Sequence, residues 1–246
     1  MLRTIKNILR FKLQATDGKI GHVEDFYFDD QLWAVRYLVA DTGDWLPGRQ
    51  VLLAPRSIES ADGNDKRVHV NLTRDQIENS PSVQEHRPVS RQLQIQLADY
   101  FGWTPYWESP AAAPIAWFPE TATSDENLKA AEMEKEDPHL RSIDEVLGYH
   151  IHARDGEIGH IEDFLVQDDD WSLKYAVVDT RNWLPAKKVL VAMTWIGEVD
   201  WAAGEVKVDL QKDKIKHAPE FDPDEPVDEE YESALCNYYG ESLSNR

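Results

Sequence analysis

The chain has 246 residues, 41 % of them hydrophobic and nine of them tryptophan, and its 46 acidic residues outnumber 26 basic ones to give a formal charge of −20. That apolar content suffices for one or two folded domains, while the charge excludes the basic face that binds nucleic acid or anionic lipid. No stretch approaches the ~20 apolar residues of a membrane helix and residues 1–10 do not read as a signal peptide, so a soluble, cytoplasmic protein is expected, with the single Cys236 excluding an internal disulfide.

Residues 11–53 predict antiparallel strands. Asp17-Gly18 is a two-residue hairpin signal, because a type I′ turn wants positive φ at both central residues. Residues 20–28 and 33–39 carry the aromatic and β-branched residues that suit a pleated surface, with Asp29-Asp30 in the turn between them. Residues 51–54 and 67–71 add two short strands. Residues 73–79 open with Thr73-x-x-Gln76, a capping-box pattern, and stop before Pro81, which predicts a short helix. Residues 90–100 place Leu93, Leu97, Ala98 and Tyr100 at helical spacing and predict a second one. Residues 103–140 read as a linker, Pro- and Trp-rich and extended at first, then acidic and helix-prone.

Beyond the linker the pattern repeats. Adding 138 to a position in the first half lands on its counterpart without a gap: Gly21, His22, Glu24 and Asp25 meet Gly159, His160, Glu162 and Asp163, and Trp45-Leu46-Pro47 meets Trp183-Leu184-Pro185. The offset persists to Tyr100/Tyr238 and Gly102/Gly240. A unit of ~100 residues is large enough to bury its own core, so two like domains are expected, residues 1–102 and 141–246, joined by residues 103–140. Asp155-Gly156 repeats the hairpin signal. The second copy loses the capping box, having Gln211 and Lys214 at the matching positions. The copies also differ in charge, from −1 over residues 3–102 to −13 over residues 141–246.

The order of an Asp-Gly turn, Ile20-Gly21-His22-Val23-Glu24-Asp25-Phe26, an aromatic strand ending Tyr37-Leu38-Val39-Ala40-Asp41-Thr42, and Trp45-Leu46-Pro47 before Val51-Leu52-Leu53-Ala54-Pro55 resembles a PRC-barrel domain. That family includes the cytoplasmic domain of the H polypeptide of the photosynthetic reaction centre and the C-terminal domain of the ribosome maturation factor RimM. Residues 88–92 and 100–103 are similar to an extension found in uncharacterised bacterial members. The resemblance covers about 200 of the 246 residues and implies a mainly β fold of two small PRC-type β-barrels, each followed by short α-helices. Its functional implication is binding. The reaction-centre H polypeptide docks on a membrane complex and influences proton movement, but its transmembrane helix is not matched in this sequence; RimM-like proteins bind ribosomal protein through one barrel joined to a different domain.

Two stretches carry candidate chemistry. His-x-Glu-Asp occurs as His22, Glu24, Asp25 and as His160, Glu162, Asp163; imidazole plus two carboxylates is a ligand set for a metal or a proton relay, against the plainer reading of a locally hydrogen-bonded histidine. If Asp155-Gly156 closes the hairpin, paired positions sum to 311, so His160 faces Ile151 and no histidine cluster forms there. The same counting places His22 and Glu24 on the face of Ile20 and Phe26, in conflict with an inward Val23, and predicts a β-bulge near Gly21-His22. Trp45 and Trp183 are expected to cap the barrels or mark a binding surface, Trp103 and Trp107 to pack across the domains or take a peptide, and Glu225, Glu229 and Glu230 to be solvated or to meet a basic partner.

GxSxG, P-loop, GxGxxG and HExxH motifs are missing, so no enzyme and no cofactor are expected. The leading expectation is a non-enzymatic adaptor that docks on another protein, leaving homodimerisation open. The alternatives are a metal- or small-molecule-responsive sensor using the His-x-Glu-Asp positions, or a modulator of electron or proton transfer like the reaction-centre H polypeptide.

Overall fold

The computed structural model describes residues 1–81, 83, 89–108, 137–180, 187–223, 225 and 227–240. The chain is mainly β, with two seven-stranded sheets. In the first copy the elements are β1 (Leu2–Thr4), α1 (Ile5–Ile8), β2 (Lys12–Ala15), β3 (Gly18–Asp29), β4 (Ala34–Asp41), β5 (Gln50–Leu53), β6 (Ile58–Asp62), β7 (Arg67–Val70), α2 (Arg74–Glu78) and α3 (Arg91–Phe101). The second copy repeats them as β8 (Leu140–Ser142), α4 (Ile143–Val146), β9 (His150–Ala153), β10 (Gly156–Gln167), β11 (Leu173–Asp179), β12 (Lys188–Ala192), β13 (Ile196–Asp200), β14 (Glu205–Val208), α5 (Lys212–Lys216) and α6 (Glu229–Tyr239). Among the described residues no helix is long and apolar enough to cross a membrane.

One sheet runs β5-β4-β3-β2-β7-β6 with β8 also on β3, and the other runs β12-β11-β10-β9-β14-β13 with β1 also on β10. The pairs β2–β7 and β9–β14 are parallel. Among the described residues no pairing joins the two ends of either path, so each sheet is an open six-stranded path with a seventh strand beside it, and no closed barrel is seen.

The exchange of β1 changes the expected partition of the chain. One compact unit comprises Arg10–Tyr27 and Arg36–Leu140; the other comprises Met1–Leu9, Phe28–Val35 and Arg141–Arg246. Neither coincides with the contiguous stretches 1–102 and 141–246. Within the latter unit, β1 pairs antiparallel with β10 (Leu2↔Gln167, Arg3↔Val166, Thr4↔Leu165). Arg3 Nε reaches Asp168 at 2.8 Å, and α1 packs on β10 with Ile5 and Ile8 fully buried. Burying such a side chain contributes about 1.5–3 kcal/mol, so a nine-residue segment brings this unit a substantial part of its core.

The core positions along the long central strand follow an irregular spacing. Ile20, Val23, Phe26 and Phe28 are all fully buried, as are Ile158, Ile161, Phe164 and Val166. A regular strand turns alternate residues to opposite faces, so steps of three need an extra residue each. In the second copy the register shifts between Glu157 and Gly159 against β9 and between Ile161 and Asp163 against β11. In the first copy it shifts between Lys19 and Gly21 against β2. These bulges resolve the conflict seen in the sequence, because each lets a further apolar side chain return to the core.

The hairpin turns differ from the type I′ expectation. Ala15 pairs with Gly18 and Ala153 with Gly156, which leaves Thr16-Asp17 and Arg154-Asp155 as the central residues, none of them at positive φ. The aspartates serve the helices instead: Asp17 accepts the Arg74 N–H at the start of α2, and Asp155 accepts the Lys212 N–H at the start of α5, both at 2.8 Å. Trp33 and Trp171 lie in tight turns at φ 51° and 58° rather than in strands. This backbone is costly for a bulky side chain, and stacking of Trp33 on Phe28 at 5.6 Å compensates.

The stretch read as a linker begins and ends as part of a folded unit. Trp103 stacks on Phe101 at 4.3 Å, Arg56 donates to the Thr104 carbonyl, and Asp137 is buried. The Asp137 carboxylate accepts from Arg91 and Gln94 at 2.9 Å and from the Tyr106 hydroxyl at 3.3 Å. Leu140 packs on the cluster of Tyr37, Val39, Leu52 and Leu97. The acidic run within residues 124–136 lies outside the described residues.

Candidate functional site

Gly21 positions the first candidate site. Its φ is +136°, and a Cβ there would stand 1.9 Å from the Asp41 carbonyl oxygen, so only glycine lets β3 come this close to the end of β4. Gly159 repeats the arrangement against the Asp179 carbonyl at 2.0 Å. The close approach delivers His22 beside Asp41. His22 Nε2 lies 3.2 Å from Glu24 Oε2 and 3.5 Å from Asp41 Oδ2, each side chain being more than a third exposed. All three ligand atoms lie within 4.8 Å of one another. Asp41 is fixed from behind, its Oδ1 accepting the Gly43 N–H at 2.8 Å.

The expected trio was His22, Glu24 and Asp25; Asp25 is not part of the group, and Asp41 takes its place. The legible signal was the matched Asp41-Thr42 and Asp179-Thr180 at the ends of the aromatic strands, together with a glycine where a strand residue would ordinarily be branched.

In the second copy the same positions behave differently. Glu162 Oε1 meets Lys188 Nζ at 2.9 Å and Lys6 Nζ at 3.9 Å. Asp163 is buried and accepts the Phe164 N–H at 2.7 Å and the Lys6 N–H at 3.1 Å. Burial raises its carboxyl to about 6, against the partial opposition of those two donors. Its carboxylate is turned to the backbone. His160 pairs with His150, and not with Ile151, because the hairpin closes one residue earlier than the sequence suggested, lowering the sum of paired positions from 311 to 309, and a bulge then raises it to 310. His150 Nδ1 contacts Glu157 at 2.9 Å.

The aromatic candidates are held within their own unit. Trp45 lies under the Arg74 guanidinium at 4.5 Å, and its loop is pinned by the Thr42 hydroxyl against the Leu46 and Arg49 carbonyls at 2.7 Å. Trp107 lies under Arg91 at 4.1 Å, with Arg36 over Tyr106 at 4.2 Å. Such stacking holds the cations over the ring faces, and the rings are half-buried. Trp183 lies outside the described residues.

Glu225, Glu229 and Glu230 are exposed. The last two are not part of a solvated tail: they open α6, where Asp228 caps the Tyr231 N–H at 2.8 Å and acidic residues suit the helix dipole. The first-copy counterparts of Glu225 and Glu229 are Arg87 and Arg91. Compared with known proteins, the chain matches no family model, and no curated protein is found similar to it.

Proposed function

We propose that the chain is a non-enzymatic adaptor of two PRC-type barrels that docks on another protein through the acidic face at the start of α6. The observation that carries this reading is the reversal of charge between the copies: exposed Glu225 and Glu229 stand where the first copy has Arg87 and Arg91, with Glu230 beside them in place of Gln92. The partner fitting that face is a basic protein segment, recognised by complementary potential and sensitive to salt because exposed charges are screened over about 8 Å at physiological ionic strength. The resemblance to PRC-barrel domains, a family of binding modules, points the same way.

The test uses the full chain. Cross-linking and co-purification from the native cell should recover a basic partner with the wild-type chain, and the triple variant Glu225→Lys, Glu229→Lys, Glu230→Lys should lose it while still unfolding cooperatively, at a temperature lowered only by the two basic charges placed at the start of α6. Partner recovery that survives charge reversal and high salt would refute the acidic face as the docking surface.

A further inference from the structure

We propose that His22, Glu24 and Asp41 form a binding site for a divalent transition ion of the zinc class, present in the first copy and replaced by a lysine ammonium in the second. The proposal is independent of the adaptor reading. Zinc takes imidazole nitrogen at about 2.0–2.1 Å and carboxylate oxygen at about 2.0–2.2 Å, so neighbouring ligand atoms around a tetrahedral ion stand ~3.4 Å apart. The separations of 3.2 and 3.5 Å from His22 Nε2 to the two carboxylates bracket that edge. Imidazole among the donors favours zinc and its transition-metal neighbours over calcium or magnesium, which take oxygen. The Gly43 N–H on Asp41 Oδ1 orients the carboxylate and leaves Oδ2 toward the site, as an outer hydrogen bond does for a ligand. The partial exposure of all three residues leaves room for water to complete the coordination.

The duplication supplies the second observation. In the register, Asp41 is directly opposite Gln50, and Asp179 is directly opposite Lys188. The Lys188 ammonium lies 2.9 Å from Glu162, the counterpart of Glu24. One copy thus carries its own cation on the strand where the other carries a neutral amide, which leaves the first-copy carboxylates open to an added ion. Lys12 lies directly opposite His22 in the register, so the two share a face of the sheet; its positive charge opposes an ion bound there, and its removal strengthens binding.

The experiment titrates the full chain with Zn2+ in competition with a chromogenic chelator, in metal-free buffer. The wild type should take up one ion at this site. His22→Ala and Glu24→Gln should each weaken uptake by roughly tenfold or more, Lys12→Ala should tighten it, and the double variant His150→Ala, His160→Ala should leave it unchanged. Glu24 is exposed, so its isosteric variant tests the site even if His22→Ala unfolds. The proposal is overturned if the wild type takes up no zinc, if Glu24→Gln binds as tightly as the wild type, or if uptake disappears with His150 and His160.

Discussion

Glycines 21 and 159 are the residues whose replacement the structure forbids most strongly. Each combines positive φ with a carbonyl oxygen about 2 Å from the position of an added Cβ, so backbone strain and steric overlap add. Gly21→Ala or Gly159→Ala should cost about 2–4 kcal/mol in urea denaturation. Gly43→Ala, at φ +54° with nothing within 4 Å, should cost only about 1 kcal/mol. Asp163 gives a pH signature. Its folded carboxyl holds a proton up to about 6, above the ordinary 3.8, so its contribution to stability is fully present below pH 4 and is lost as pH rises through 6. Asp163→Asn keeps an acceptor for both N–H donors without the buried charge. Relative to wild type it should gain stability on the order of 1–3 kcal/mol at pH 8 and little at pH 4, read from denaturation curves at the two pH values.

Among the elements, the helices following the sheets show how much a local pattern decides. Thr73 and Gln76 form the full capping box expected from their spacing, while Gln211 makes no side-chain cap for α5. Thr73→Ala should therefore cost about 1 kcal/mol, and Gln211→Thr should gain about 0.5–1 kcal/mol, both measured by thermal unfolding. The long strands were legible in existence and order, because β-branched and aromatic residues mark them irrespective of context, whereas the short β1, β6, β8 and β13 were not anticipated. Their registers were not. The sum of 311 for paired positions assumed a regular ladder closed at Asp155-Gly156; an earlier turn and a bulge, which depends on what the neighbouring strand and core accept, place His160 against His150, and the close approach at Gly21 brings Asp41 beside His22.

For the whole molecule, the segment Met1–Leu9 belongs to the compact unit that holds most of the second copy. Deleting residues 1–9 from the full chain removes β1, the Arg3–Asp168 ion pair and two buried isoleucines, and should lower stability by at least about 3 kcal/mol. Amide hydrogen exchange should localise the loss to β10 and β11 and leave β2 and β7 protected. Equal deprotection of β2 and β7, or none in β10, would contradict this assignment of the segment. A fragment of residues 138–246 should likewise fail to unfold cooperatively on its own, since it lacks both Met1–Leu9 and Phe28–Val35.

The sequence by itself determined the duplication, the strand-rich character of each copy, the capped helix and the apolar positions of the core, because each rests on local spacing and residue type. Tertiary structure decided which chain segments share a unit and which charged groups meet. The reason is visible in the short strands that open the two copies: Leu2-Arg3-Thr4 and Leu140-Arg141-Ser142 are nearly the same sequence, so either suits the matching edge of either sheet. Local pattern is degenerate between pairing at home and pairing away, and only the closing of the whole chain selects the exchange that sends β1 to β10 and β8 to β3.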